Sequence, residues 1–154
     1  MFYLIALLIG VVAGSRTFTA PAAVSWAARL QWLHLSGTPL GFLATLAAPL
    51  ILTVLAIGEL IVDKLPNTPS RKAPTGFVAR ILSGAFCGAA LGLTGGGVFG
   101  GLVAGGIGAV LGTLGFSELR ARLARAFGGR DLPAALIEDA CAIAAAVWIV
   151  AATG

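Results

Sequence analysis

Residues 84–112 read GAFCGAALGLTGGGVFGGLVAGGIGAVLG, and this stretch decides the fold. Glycine recurs every fourth residue along it, at Gly84, Gly88, Gly92, Gly96 and Gly100. In lipid, helices gain from close backbone approach, which small residues permit. The spacing predicts a glycine-zipper hairpin of two membrane-spanning helices, or packing against a second copy of the chain. The alternative is a flexible or unwound segment that lines a solute path.

The composition is that of a membrane protein. Of 154 residues, 58% are hydrophobic and 10% are charged, whereas a soluble domain carries roughly 25% charged residues. The mean hydropathy is +1.01. We expect one integral membrane domain over residues 1–154, with the lipid bilayer as its partner. The net charge of +4 comes from a few residues in short loops, so a nucleic-acid partner is not expected.

Apolar runs predict an all-α, polytopic transmembrane bundle of about five spans: 2–32, 40–62, 77–93, 98–116 and 134–152. The first run is too long for one straight span, which needs roughly 20 residues. Its middle reads GSRTFTAP, and Gly14, Thr17 and Pro21 mark a helix break. Proline removes a backbone donor and clashes with the preceding turn. The residues leave open whether this run is one broken helix or two.

The basic residues indicate an orientation, because short cytoplasmic loops carry an excess of Lys and Arg. Two segments hold most of them, one after the second span and one after the fourth: Lys64, Arg71, Lys72 and Arg80, then Arg120, Arg122, Arg125 and Arg130. Five spans place both segments on one face. We therefore predict a multi-pass protein with the N-terminus cytoplasmic and the C-terminus outside.

Arg16 is the most informative charge, since it lies within the first apolar run. An arginine at the centre of a bilayer costs about 2.5 to 3.5 kcal/mol on insertion scales, so it should face the bundle interior and have an acidic partner. The predicted cluster contains Arg16, Glu59, Asp63, Lys64, Arg80, Glu138 and Asp139. These charges either form structural ion pairs or surround a polar cavity that handles an ion or a small charged solute.

Three motifs resemble a family of small bacterial integral membrane proteins grouped as a domain of unknown function (DUF4126-like). They are Gly14-Ser15-Arg16, the E-x-x-x-D-K-x-P element from Glu59 to Pro66, and Pro133 followed by Glu138-Asp139. The family often has Asn before that last proline and Ser three residues after it, where this chain has leucines, Leu132 and Leu136. The resemblance implies a multi-span helical protein of the bacterial cytoplasmic (inner) membrane and brings no established activity.

Two functions remain open. The first is a small oligomeric transporter or channel, a dimer being favoured because 154 residues are few for a complete transporter. The second is a non-transporting scaffold or accessory subunit. An enzyme is not expected: Ser15, Thr17 and Thr19 are possible nucleophiles, but the only histidine, His34, is predicted in the opposite loop, so no nucleophile–base pair forms. We expect no metal and no cofactor.

Overall fold

The computed structural model describes residues 1–67 and 73–154, and within these ranges the regular elements are all helical. The α-helices are α1 (Phe2–Ser15), α2 (Thr19–Arg29), α3 (Ala47–Val62), α4 (Pro74–Leu93), α5 (Val98–Ala126) and α6 (Asp131–Ala151). A short 3-10 helix, Gly41–Ala44, precedes α3. The predicted all-α class is confirmed. Arg71 and Lys72, two of the basic residues used to predict orientation, lie outside the described residues.

Three described helices, α4, α5 and α6, are long and apolar enough to cross a membrane. They indicate that the chain is a membrane protein. The apolar helices α1 and α3 are shorter, with 14 and 16 residues, so the prediction of about five spans is not confirmed. The predicted second span also begins too early, because the 3-10 helix and residues 45–46 separate residue 40 from the start of α3.

Glycines bring α4 and α5 into backbone contact. A Cβ added at Gly88 would overlap the carbonyl group of Gly101, and one at Gly84 would overlap that of Gly105. Closer to the turn between the helices, a Cβ at Gly92 would overlap the Gly97 carbonyl. No side chain larger than hydrogen fits at these positions without moving a helix, so α4 and α5 form a close antiparallel hairpin.

A second glycine face of α5 packs on α1. Cβ atoms at Gly108 and Gly112 would overlap backbone carbonyl groups of α1, those of Leu7 and Val11. Two further glycines of the four-residue repeat also pack against the start of α1: Gly96 lies against Phe2, and Gly100 lies against Tyr3. α5 is therefore held between α1 and α4, and these glycines serve contacts within one chain.

The first apolar run forms two helices that run in opposite directions. α1 begins beside the α4–α5 turn, where the Tyr3 hydroxyl donates to the carbonyl of Gly96. α1 ends beside Thr113, deep along α5. α2 then runs back toward the end of the bundle where α1 begins. Trp32, three positions beyond the end of α2, lies against Gly154 at the end of α6. α1 and α2 are thus a helical hairpin whose apex is residues 16–18.

This hairpin also places the ends of the chain within the bundle. The start of α6 lies beside the end of α5, where Arg120 pairs with Asp131, so α6 ends near the α4–α5 turn. The start of α1 lies at that turn too. Both ends of the chain therefore lie at one end of the bundle, and the end of α5 lies at the other, which we call the basic end. The predicted orientation across the membrane counted α1 and α2 as a single crossing, and it stays a prediction.

Candidate functional site

The apex of the α1–α2 hairpin is non-helical backbone, and a carboxylate from α3 satisfies it. Oε1 of Glu59 accepts a hydrogen bond from the Thr17 amide at 2.7 Å, and Oε2 accepts one from the Phe18 amide at 2.9 Å. The first amides of a helix have no partner within it, and its N-terminus attracts negative charge. Glu59 therefore acts as a bidentate cap on the start of α2.

Two hydroxyl groups satisfy carbonyls at the same apex. Thr113 of α5 donates to the carbonyl of Gly14 at 3.0 Å, and Ser83 of α4 donates to the carbonyl of Thr17 at 2.5 Å. Irregular backbone at membrane depth is tolerated only where it is buried in protein or lines a wet cavity. Contacts from α3, α4 and α5 therefore hold the apex in one conformation.

Arg16 extends from this apex into the bundle, with 1% of its surface exposed. Its Nη1 lies 3.0 Å from Oδ2 of Asp63, directly after α3, and its Nη2 contacts Oδ1 of Asp139 on α6. One guanidinium thus bridges carboxylates from two other helices. Its Nε is buried without a hydrogen-bond partner among the described residues.

Each of these acids also contacts a second cation. Oδ2 of Asp63 lies 2.5 Å from Nη1 of Arg120, and Oδ2 of Asp139 contacts Nζ of Lys64. Arg120 also binds Asp131 through two bonds, with its Nε 2.8 Å from Oδ1 of that carboxylate. These pairs form a continuous network that joins α1, α5, α6 and the segment after α3 at the basic end.

The structure brings most of the predicted charged residues together but gives some of them different roles. Arg16, Asp63, Lys64 and Asp139 form direct ion pairs. Glu59, an acid of the predicted cluster, binds the backbone amides of Thr17 and Phe18 and forms no ion pair with Arg16 in the described residues.

The two remaining predicted charges, Glu138 and Arg80, are both buried. Glu138 is buried, with Oε2 3.8 Å from Nη1 of Arg120. Arg80 is buried on α4, with its guanidinium near Gly76.

Sequence reasoning missed Arg120 and Asp131 as members of the network. Arg120 is predicted only as a basic residue of the segment after the fourth span. In the structure α5 continues to Ala126, and α6 begins at Asp131. A signal was present in the spacing: Arg120 follows Thr113 by seven residues and Gly112 by eight. Residues at these intervals share one helix face, so Arg120 extends the face of α5 that packs on α1.

The predicted helix-break residues also have distinct roles. Gly14 lies at the close approach of α1 to α5, since a Cβ there would overlap the Ala109 carbonyl. Thr17 lies in the break itself. Pro21 lies in the first turn of α2, where its missing amide leaves no hydrogen bond unmade. The chain therefore breaks before the proline and not at it.

Within residues 1–67 and 73–154, no group of three His, Cys, Asp or Glu side chains could hold a metal ion. Comparison of the chain with protein family models, curated proteins and solved structures finds no match. The class that the fold and this site define is a helical membrane protein with a buried charge network. The resemblance to the DUF4126-like family is untested and stays a prediction.

Proposed function

We propose that this chain is a small transporter or channel for an ion or a small charged solute, with the Arg16–Asp63–Asp139 network as its site. The observation that most directly supports this proposal is the burial of Arg16 at a hairpin apex, between one acid directly after α3 and one acid of α6. Ionisable groups at membrane depth are expensive, and they commonly mark substrate or ion pathways. Helix ends and broken helices recur at such sites.

The shared partners supply a physical reason why this network can exchange ions. Asp63 contacts both Arg16 and Arg120, and Asp139 contacts both Arg16 and Lys64. A buried carboxylate without any partner is costly. An acid with two cationic partners can release one of them to a solute or an ion and still keep the other. We place the protein in the bacterial cytoplasmic membrane and propose that a dimer is the working unit.

Flux through reconstituted vesicles tests the proposal. Purified protein in liposomes would be exposed to gradients of H⁺, Na⁺, K⁺ and Cl⁻ in turn, with pH-sensitive and ion-sensitive dyes inside. We expect protein-dependent flux of at least one of these ions. It should fall at least tenfold in Asp63→Asn and in Asp139→Asn. Glu118→Gln is the matched control, because Glu118 is an exposed acid on α5 that pairs with Arg122, and its flux should equal that of the wild type.

A second function, a non-transporting scaffold or accessory subunit, is favoured by the direct contact between acids and cations. Asp63 and Asp139 are both engaged by cations of the chain itself, as expected for ion pairs that serve assembly. If Asp63→Asn and Asp139→Asn reduce the amount of folded protein in membranes and the wild type carries no flux, the scaffold role is supported and transport of H⁺, Na⁺, K⁺ and Cl⁻ is excluded. Crosslinking of wild-type protein in membranes tests the dimer separately.

A further inference from the structure

A crevice of about 230 Å³ lies between α2, α3 and α6, and the ion-pair network does not use it. Small side chains form much of its wall, Ala22 and Ala23 on α2 and Ala56 on α3 among them. Trp26 lines the crevice in the second half of α2, and its indole donates to the Thr53 hydroxyl at 3.0 Å. An apolar crevice in the flank of a membrane protein has the surface chemistry to hold a hydrocarbon chain.

Thr19 provides a polar group at the end of the crevice near the hairpin apex. It is more than nine-tenths buried, and its Oγ1 has no hydrogen-bond partner among the described residues. The large majority of buried hydroxyl groups in proteins are hydrogen-bonded, and the hydrocarbon region has no water to supply the bond. Thr19 lines the crevice, and its Oγ1 is covered. Rotation about the Cα–Cβ bond would turn this hydroxyl toward a bound ligand that carries an oxygen acceptor.

A cation lies just beyond the same end. Lys64 follows Leu60, a lining residue, by four positions. Its Nζ donates to the Leu60 carbonyl and contacts Asp139, which uses two of its three hydrogens. The side chain is 23% exposed, so the third hydrogen can reach a ligand. Asp139 is the nearest acid, and Arg16 also neutralises it.

We infer that this crevice binds one acyl chain of an anionic phospholipid from the leaflet at the basic end. The hydrocarbon lies along Ala22, Ala23 and Ala56, an ester carbonyl accepts from Thr19, and the phosphate group pairs with Lys64. Thr19 and Trp26 are seven positions apart on α2, which is about 10 Å of helix. The crevice therefore holds the part of the acyl chain that lies nearest the headgroup. The inference stands whether or not the protein transports a solute.

Quenching of Trp26 by brominated lipids tests this site. A variant with Trp32→Phe and Trp148→Phe leaves Trp26, which lines the crevice, as the only tryptophan, and excitation at long wavelength avoids Tyr3. It would be reconstituted into vesicles that contain either phosphatidylglycerol or phosphatidylcholine with dibrominated chains, each diluted with the other lipid unbrominated. One lysine near the membrane surface is worth about fivefold in affinity for an anionic lipid, so quenching should give phosphatidylglycerol a relative binding constant of about five.

Two substitutions show whether that preference belongs to the crevice. Ala23→Leu fills it and should bring the relative binding constant to about one. Thr19→Val keeps the side-chain shape, removes the hydroxyl and should reduce the fraction of Trp26 fluorescence that either brominated lipid quenches. Ala144→Leu, at an exposed position of α6, is the matched control and should leave the wild-type value. The inference would be overturned by equal quenching with the two lipids, or by a preference that survives Ala23→Leu. It would also be overturned if neither lipid quenches Trp26, as expected when a second copy covers the crevice.

Discussion

Arg16 and Asp139 are 123 positions apart in the chain, and their side chains form an ion pair in the interior of the helix bundle. The pair joins the end of α1 to the first half of α6. Asp63 binds the same guanidinium from the segment that follows α3. Three distant parts of the chain therefore depend on one buried cation, and this dependence leads to the first prediction.

Arg16→Met should destabilise the protein by about 3 kcal/mol, the lower end of the range for breaking a buried ion pair. Lys64 and Arg120 still contact the two acids, which limits the loss. Reversible unfolding in mixed micelles measures the free energy. Arg122→Met is the control, since its ion pair with Glu118 is exposed and should be worth less than about 1 kcal/mol. Equal losses in the two variants would contradict a structural role for Arg16.

Glu59→Leu should loosen the hairpin apex, because it leaves the amides of Thr17 and Phe18 without their acceptor. An unsatisfied buried donor costs about 1–3 kcal/mol. Hydrogen exchange at these two amides should accelerate, with no comparable change at the amides of α4. Glu59→Gln keeps one carbonyl oxygen, so its exchange rates at these two amides should fall between those of Glu59→Leu and the wild type. Unchanged exchange in Glu59→Leu would show that the cap is dispensable.

Gly105→Ala should destabilise the bundle by about 1–3 kcal/mol, the usual effect of overpacking. Its Cβ would overlap the carbonyl of Gly84, and α4 would have to move. Gly115→Ala on the same helix is the matched control, because nothing lies near its Cβ position. That substitution should be neutral or stabilising, since alanine is the better helix former by roughly 1 kcal/mol. Thermal unfolding in detergent compares the two, and a loss in Gly115→Ala equal to that in Gly105→Ala would contradict this packing.

The hairpin predicts that both termini lie on the same side of the membrane. In a background without Cys87 and Cys141, a single cysteine would be inserted after Met1 or would replace Thr153 or Gly128. An impermeant maleimide added to sealed vesicles should label the first two from one side and the third from the other. Gly128 lies in the α5–α6 connection at the basic end. Labelling of the inserted cysteine and of position 128 from the same side would support a single broken span and exclude the hairpin.

The sequence predicted the helices whose limits are set locally. Predicted spans 77–93, 98–116 and 134–152 fall within or close to α4, α5 and α6, because apolar runs and glycine or proline boundaries act over a few residues. It also predicted that Arg16 needs an acid, because any buried cation does. It could not choose among the acids: Glu59 and Asp63 lie one turn apart, and a small rotation of α3 would exchange them.

What the sequence determined by itself is the class: too few charges for a soluble surface, long apolar helices, glycines that permit close packing, and a buried arginine that needs a partner. Only the tertiary structure decided where the chain turns back and which acids Arg16 meets. A break such as residues 16–18 can continue straight or reverse, and local preference does not separate the two. Glu59, Ser83 and Thr113 decide between them by binding the apex backbone, and these side chains come from three helices that reach the apex only after the bundle has packed.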